Sequence, residues 1–160
     1  MTGYPTRPEL AEWPGRKVEA RQKLGITSDR LVLFVFGGSK GACSINRAVS
    51  AILPQLLAEL ELVHITGTLD WDEIQQIAKS LATGQVEHYH PFPYLHEDMG
   101  AALAAADLVV SRAGASTLGE YPLFGLPAIL VPYPYAWRTK RSMPITWSTG
   151  MQASCCRMNS

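Results

Sequence analysis

Unbroken apolar runs alternate along this chain with stretches whose apolar positions recur on a helical period. RLVLFVFGG (30–38) is continuous apolar sequence stopping at two glycines, the pattern of a strand buried on both faces. LELVHITG (60–67), QVEHYHPF (85–92), DLVVSRAG (107–114) and PAILVPYP (127–134) read as four further strands. Between them, ACSINRAVSAILPQLLAEL (42–60) predicts a helix kinked or broken at Pro54, and DWDEIQQIAKSLATG (70–84) a capped helix stopping at Gly84. YLHEDMGAALAAA (94–106) and ASTLGEYPLFG (115–125) predict two more helices. Ahead of the first strand, PGRKVEARQKL (14–24) predicts a helix with Pro in its first turn and Gly25 as its stop, after an extended lead-in over 1–13. Strict alternation of strand and helix predicts an α/β fold, a Rossmann-like parallel sheet with helices on both faces. Ligands of such sheets bind beyond the carboxyl ends of the strands, where the loops after Phe36, Ile65 and Ser111 should meet.

Composition narrows the class. The 160 residues are 47% hydrophobic and 18% charged, enough for one globular core. A formal net charge of zero argues against a broad electrostatic grip on nucleic acid. Three cysteines, two of them adjacent (Cys155 and Cys156), make no disulfide framework, so a reducing compartment is expected. The start of the chain does not read as a signal peptide, and no apolar run approaches the roughly 20 residues of a membrane span.

The first glycine loop carries the first chemical signal. Gly37 and Gly38 remove side-chain bulk, so main-chain N–H groups can approach a ligand, and the helix behind them offers unpaired N–H groups and a partial positive charge. Ser39 adds a hydroxyl. The set suits a diphosphate, with a ligand-free tight turn as the alternative; GGSKGA matches neither a P-loop nor GxGxxG. SRAGASTLGE (111–120) repeats the arrangement after the fourth strand. Gly114 opens the turn, Ser116 and Thr117 stand where an N-cap belongs, and Glu120 follows. Thr117-Leu118-Gly119-Glu120 fits a capping box, in which the glutamate serves only the helix. The other reading gives the carboxylate of Glu120 to the two adjacent hydroxyls of a ribose.

TGYPTRPEL, GGSKGACSIN, HITG, YHPFPYLHEDMGAALAAADLVVSRAGASTLGE and GLPAILVPYPYAWR together resemble the C-terminal domain of the MurG-like glycosyltransferases, glycosyltransferase family 28, over residues 1–138. These bacterial enzymes add N-acetylglucosamine to lipid I in peptidoglycan synthesis. The resemblance implies the C-terminal half of a GT-B fold and a UDP-N-acetylglucosamine site. It implies that Gly37, Gly38 and Ser39 hold the diphosphate with Arg7 assisting, that Gly114, Ala115, Ser116 and Thr117 line the nucleotide and sugar pocket, and that Glu120 holds the ribose diol. Lys40 stands where the family usually has glutamine. Neither a cofactor nor a metal is implied, and no residue of the chain stands out as catalytic base. The lipid-linked acceptor is expected on a missing N-terminal GT-B domain or a partner subunit, leaving this half inactive alone. The expected location is the cytoplasm, at the inner face of the membrane. A soluble subunit of a split UDP-N-acetylglucosamine transferase and a non-catalytic nucleotide-binding module are the alternatives.

Residues 139–160, TKRSMPITWSTGMQASCCRMNS, leave the resemblance abruptly. One back-translation of this tail, regrouped after a single added T, reads YQKVNADYLVDRDASFLLPDEQ, which is similar to the family's continuation. A frameshifted, non-native tail is the expectation, and with it a fifth strand stripped of its cover. Other candidates resolve to ordinary roles. Asp70 and Asp72 suit an N-cap better than a metal-binding DxD. His88 and His90 alternate on one strand without a third ligand. His64 is expected as a packed strand residue and Cys43 as a small buried one. Tyr133, Tyr135 and Trp137 are candidates for stacking on a uracil or sugar.

Overall fold

The computed structural model describes residues 7–37, 43–114 and 117–132, and the backbone of 154–155. Five strands carry the fold: β1 (Val32–Phe36), β2 (Glu61–Ile65), β3 (Tyr89–Phe92), β4 (Leu108–Arg112) and β5 (Ala128–Val131). A two-residue strand, β6 (Ser154–Cys155), pairs with the outer edge of β5, so that edge has a partner drawn from the tail. The order is β3-β2-β1-β4-β5-β6 and every pairing is parallel. Parallel strands need crossovers, and the helices supply them.

The continuous apolar runs form the middle of the sheet because both faces there are covered. Phe34, Val63 and Val109 point into one core with Leu10, Leu103 and Tyr121, while Leu33, Val35 and Leu62 point into the other with Ile45, Leu57, Ile74 and Tyr89. The helices are α1 (Lys17–Lys23), α2 (Cys43–Ala51), α3 (Leu53–Glu59), α4 (Trp71–Ser80), α5 (Thr83–Val86), α6 (Met99–Ala105) and α7 (Thr117–Phe124). Residues of α1, α6 and α7 fill the first core and those of α2, α3 and α4 the second. Alanine-rich α6 buries Ala101, Ala102 and Ala105 completely. Trp13 lies so close that a Cβ on Gly100 would stand 2.3 Å from its ring.

Several expected boundaries shift for local reasons. The lead-in contains a 3-10 turn at Pro8–Leu10 whose Leu10 is fully buried, so apolar burial gives it structure. The first helix begins at Lys17, later than Pro14, and ends as expected before Gly25, whose φ is +74°. Pro54 does break its helix: Ile52 is non-helical and Pro54 opens the first turn of α3. The helix expected to reach Gly84 stops at Ser80, because Leu81 and Ala82 turn extended and Thr83–Val86 starts a new short helix. That short helix takes Gln85 and Val86 from the expected third strand, which begins at Tyr89. Residues 94–98 lie outside α6, which starts after Asp98.

Candidate functional site

Register places Phe36 of β1 beside Ile65 of β2 and Ser111 of β4. The three loops expected to converge therefore leave the sheet side by side at one carboxyl edge. Of the sequence-predicted site residues, Arg7, Gly37, Gly114, Thr117 and Glu120 are described; Gly38, Ser39, Ala115 and Ser116 lie outside the described residues, as do Tyr133, Tyr135 and Trp137.

Thr117 does not act as the capping-box hydroxyl expected of it. Thr117 is the first residue of the helix, and its hydroxyl donates back to the carbonyl of Gly114 at 2.6 Å. The carboxylate of Glu120 pairs with Arg7, whose Nε donates to Oε1 at 3.1 Å. Glu120 is buried while Arg7 is partly exposed. Oε2 of Glu120 has no hydrogen-bond partner among the described residues. The neighbouring Tyr121 fixes this turn. Ser111 Oγ donates to the carbonyl of Arg112, so it accepts from the Tyr121 hydroxyl at 2.6 Å. Burial pushes the Tyr121 phenol well above its usual range, keeping it a donor. Its ring meets Phe36 edge-on with centroids 6.4 Å apart, which places α7 over the end of β1. A Cβ at Gly114 would meet no described residue within 4 Å.

Arg112, which the sequence reading passed over, ties the edge together. It donates to the carbonyl of Pro132 at 2.9 Å and to Ser44 Oγ, in the first turn of α2, at 2.5 Å. The signal was an arginine ending a buried strand directly before a glycine turn. Asn46 was also passed over. It is buried on α2 and donates to the Thr66 carbonyl and to Asp70 Oδ2, both at 2.7 Å. Asp70 does occupy the N-cap position of α4, but its side chain makes no cap bond and serves Asn46 instead. His64 is the packed strand residue expected, fully buried between Asn46 and Tyr89. Cys43 is exposed rather than buried, because it opens α2 on its solvent side.

His88 and His90 do face one side, and what they face is Glu61. Nδ1 of His88 donates to Oε1 and Nε2 of His90 to Oε2, both at 2.8 Å, while Ser28 donates to Oε1 at 2.5 Å. This cluster stands at the amino edge of the sheet, away from the loops. Burial alone would raise the pKa of Glu61, but its hydrogen bonds from Ser28, His90 and His88 outweigh that and hold it below the ordinary value. Among the described residues no group of three or more His, Cys, Asp or Glu side chains is arranged to hold a metal ion. No described helix is long and apolar enough to cross a membrane.

Residues 32–141 match the family model described as glycosyltransferase family 28 C-terminal domain. The chain belongs to this family. A UDP-N-acetylglucosamine–N-acetylmuramyl-(pentapeptide) pyrophosphoryl-undecaprenol N-acetylglucosamine transferase of Roseiflexus sp. (strain RS-1) is 43% identical over 150 residues, covering 84% of this chain and 34% of that protein. The transferase of the same name from Carboxydothermus hydrogenoformans is 40% identical over 137 residues, covering 84% of this chain and 36% of that protein. The crystal structure of Acinetobacter baumannii MurG superposes with a TM-score of 0.59 at 31% identity, over 72% of this chain and 33% of that one. The chain thus spans about a third of the length of the curated relatives it matches. Its parallel sheet is the Rossmann-like C-terminal half of a GT-B fold.

Proposed function

We propose that this chain is the donor-binding half of an N-acetylglucosaminyltransferase and takes UDP-N-acetylglucosamine at the carboxyl edge of β1 and β4. The observation that carries the reading is the carboxylate of Glu120: buried, with Oε1 on Arg7 and Oε2 without a partner among the described residues. A carboxylate in that state suits a vicinal diol, and the ribose of a nucleotide supplies one. Arg7, bound through Nε, keeps its terminal nitrogens for the diphosphate, beside the N–H groups at the start of α2. Gly37, Gly38 and Ser39 complete the diphosphate side, and Gly114, Ala115, Ser116 and Thr117 the sugar and nucleotide side. The names of the relatives support the donor.

In the complete reaction the acceptor hydroxyl attacks the anomeric carbon while donors at this edge stabilise the departing UDP. The acceptor, a lipid-linked muramyl pentapeptide by the relatives' names, and the base that activates it belong to another domain or subunit at the cytoplasmic face of the membrane. Calorimetry with UDP-N-acetylglucosamine, UDP and CDP tests the reading. Binding of the first two, with CDP rejected, supports it; no uridine-nucleotide binding overturns it. Preference for UDP over the sugar nucleotide would point to a nucleotide-binding module instead. A coupled assay for UDP release is expected to show no unaided transfer.

Residues 139–160 are proposed to be a frameshifted reading of the domain's continuation. The family match ending at residue 141 supports this, as does the 84% of the chain that the relatives cover.

A further inference from the structure

The buried polar groups behind the loops form one connected network with a single consistent set of protons. Asn46 uses both N–H donors, on the Thr66 carbonyl and on Asp70 Oδ2. Its Oδ1 can only accept, so Nε2 of His64, 3.0 Å away, must carry a proton. Burial keeps the ring neutral, so Nδ1 of His64 is bare and accepts from the Tyr89 hydroxyl at 3.0 Å. Four elements meet in this chain of bonds: α2 through Asn46, β2 through His64, β3 through Tyr89, and the start of α4 through Asp70. His64 is fully buried, and so are Asn46 and the Thr66 residue it bonds. Apolar packing alone would let α2 slide by a fraction of a turn at small cost; three directional bonds from one amide do not.

We propose that Asn46, held by neutral His64, is the positioning residue that sets the start of α2 against the sheet and thereby aims its first-turn N–H groups at the donor's diphosphate. This rests on the donor-site reading above. Asn46 lies one turn beyond Cys43, so its tether acts directly on the turn that presents those groups, and Arg112 holds the same turn from the other side through Ser44. Neither Asn46 nor His64 touches the ligand in this arrangement.

Two measurements test it on Asn46→Ala and on the milder Tyr89→Phe, with Leu57→Ala as a control of similar lost stability outside the network. The first is amide hydrogen exchange on the free full chain. Both network variants are expected to speed exchange across α2 by about tenfold or more relative to the control, with Tyr89→Phe the smaller effect although it sits on β3. Equal exchange in α2 for network variants and control overturns the clamp, whatever the chain binds. The second compares UDP with uridine. Asn46→Ala should weaken UDP about tenfold and leave uridine within about twofold; an equal loss of both shows a merely structural role and overturns the aiming. If the wild-type chain binds no UDP, the donor reading falls while exchange still decides the clamp. Nitrogen-15 NMR of His64 should show Nε2 protonated and Nδ1 bare, and the opposite tautomer would break the network as described.

Discussion

Arg7 Nε lies 3.1 Å from Glu120 Oε1, joining the segment before α1 to the helix after β4 across 113 residues of sequence. The pair occupies one carboxylate oxygen, and no described residue bonds the other. If Oε2 receives the ribose hydroxyls, Glu120→Gln should cost a charge-assisted hydrogen bond, about 2 kcal/mol or roughly thirtyfold in UDP affinity. The same variant should bind 2′-deoxy-UDP almost as well as UDP, whereas the wild type should prefer UDP clearly. Isothermal titration of the four combinations checks this, and an undiminished preference in the variant would rule out the ribose contact. Arg7→Ala should weaken UDP more than uridine.

Stability should fall with acid in two steps of different origin. Burial lowers the His64 pKa from 6.5 to about 4, with the charge of Asp70 opposing the shift weakly. Below pH 6.5 the unfolded chain protonates this ring and the folded one does not. The contribution is therefore complete above 6.5 and is lost progressively down to about 4, on the order of 3 kcal/mol in all. Urea midpoints from pH 8 to pH 4 measure it. A flat profile between pH 6.5 and 5 would mean that His64 is not held neutral.

The second step belongs to Glu61, whose folded pKa lies below its ordinary 4.5. Its contribution is present above 4.5 and disappears as pH drops through the lower folded value. Glu61→Gln should remove this acid step. At neutral pH the variant should lose on the order of 2 kcal/mol, because Gln replaces one accepting oxygen with a donor facing a histidine N–H. Denaturant titrations at pH 7 and at successive steps below pH 4.5 should show the variant and wild type converging.

Gly100→Ala should destabilise although alanine is the better helix former. The gain is at most about 1 kcal/mol. Against it, the new methyl would stand 2.3 Å from Cδ1 of Trp13, whose ring also carries Lys23 at 5.3 Å. Displacing a packed indole costs about 1–3 kcal/mol. Adding Trp13→Ala should make the alanine at 100 neutral or favourable, a reversal that a double-variant cycle of melting temperatures reads directly.

Sequencing the source gene around codon 138 tests the tail. A one-nucleotide change that restores a QKVNA-like continuation is expected. An uninterrupted frame with no such alternative would remove the proposal.

The strands were legible because a parallel sheet covered on both sides demands uninterrupted apolar runs, and such runs have few other uses. β1 and β2 followed the expected segments closely for that reason. Helix ends were less legible: Leu81 has helical propensity, yet the chain turns extended there to start Thr83–Val86, a choice local pattern does not encode. In the candidate site, the glycine turns and Glu120 stood out by type and spacing. Asn46 and Arg112 did not, since an asparagine within a helix and an arginine ending a strand look like many others.

Amino-acid order alone therefore established the α/β class, the edge where the loops gather and the residue types suited to a nucleotide diphosphate. These depend on local periodicity and on steric properties of single residues. Whether Glu120 finds a charged partner, and whether His64 is charged, depends on which groups from distant segments come within about 3 Å of them. Arg7 and Asn46 reach those positions only after the sheet has assembled, because hydrogen bonds are short-ranged and burial is a property of the whole packed chain.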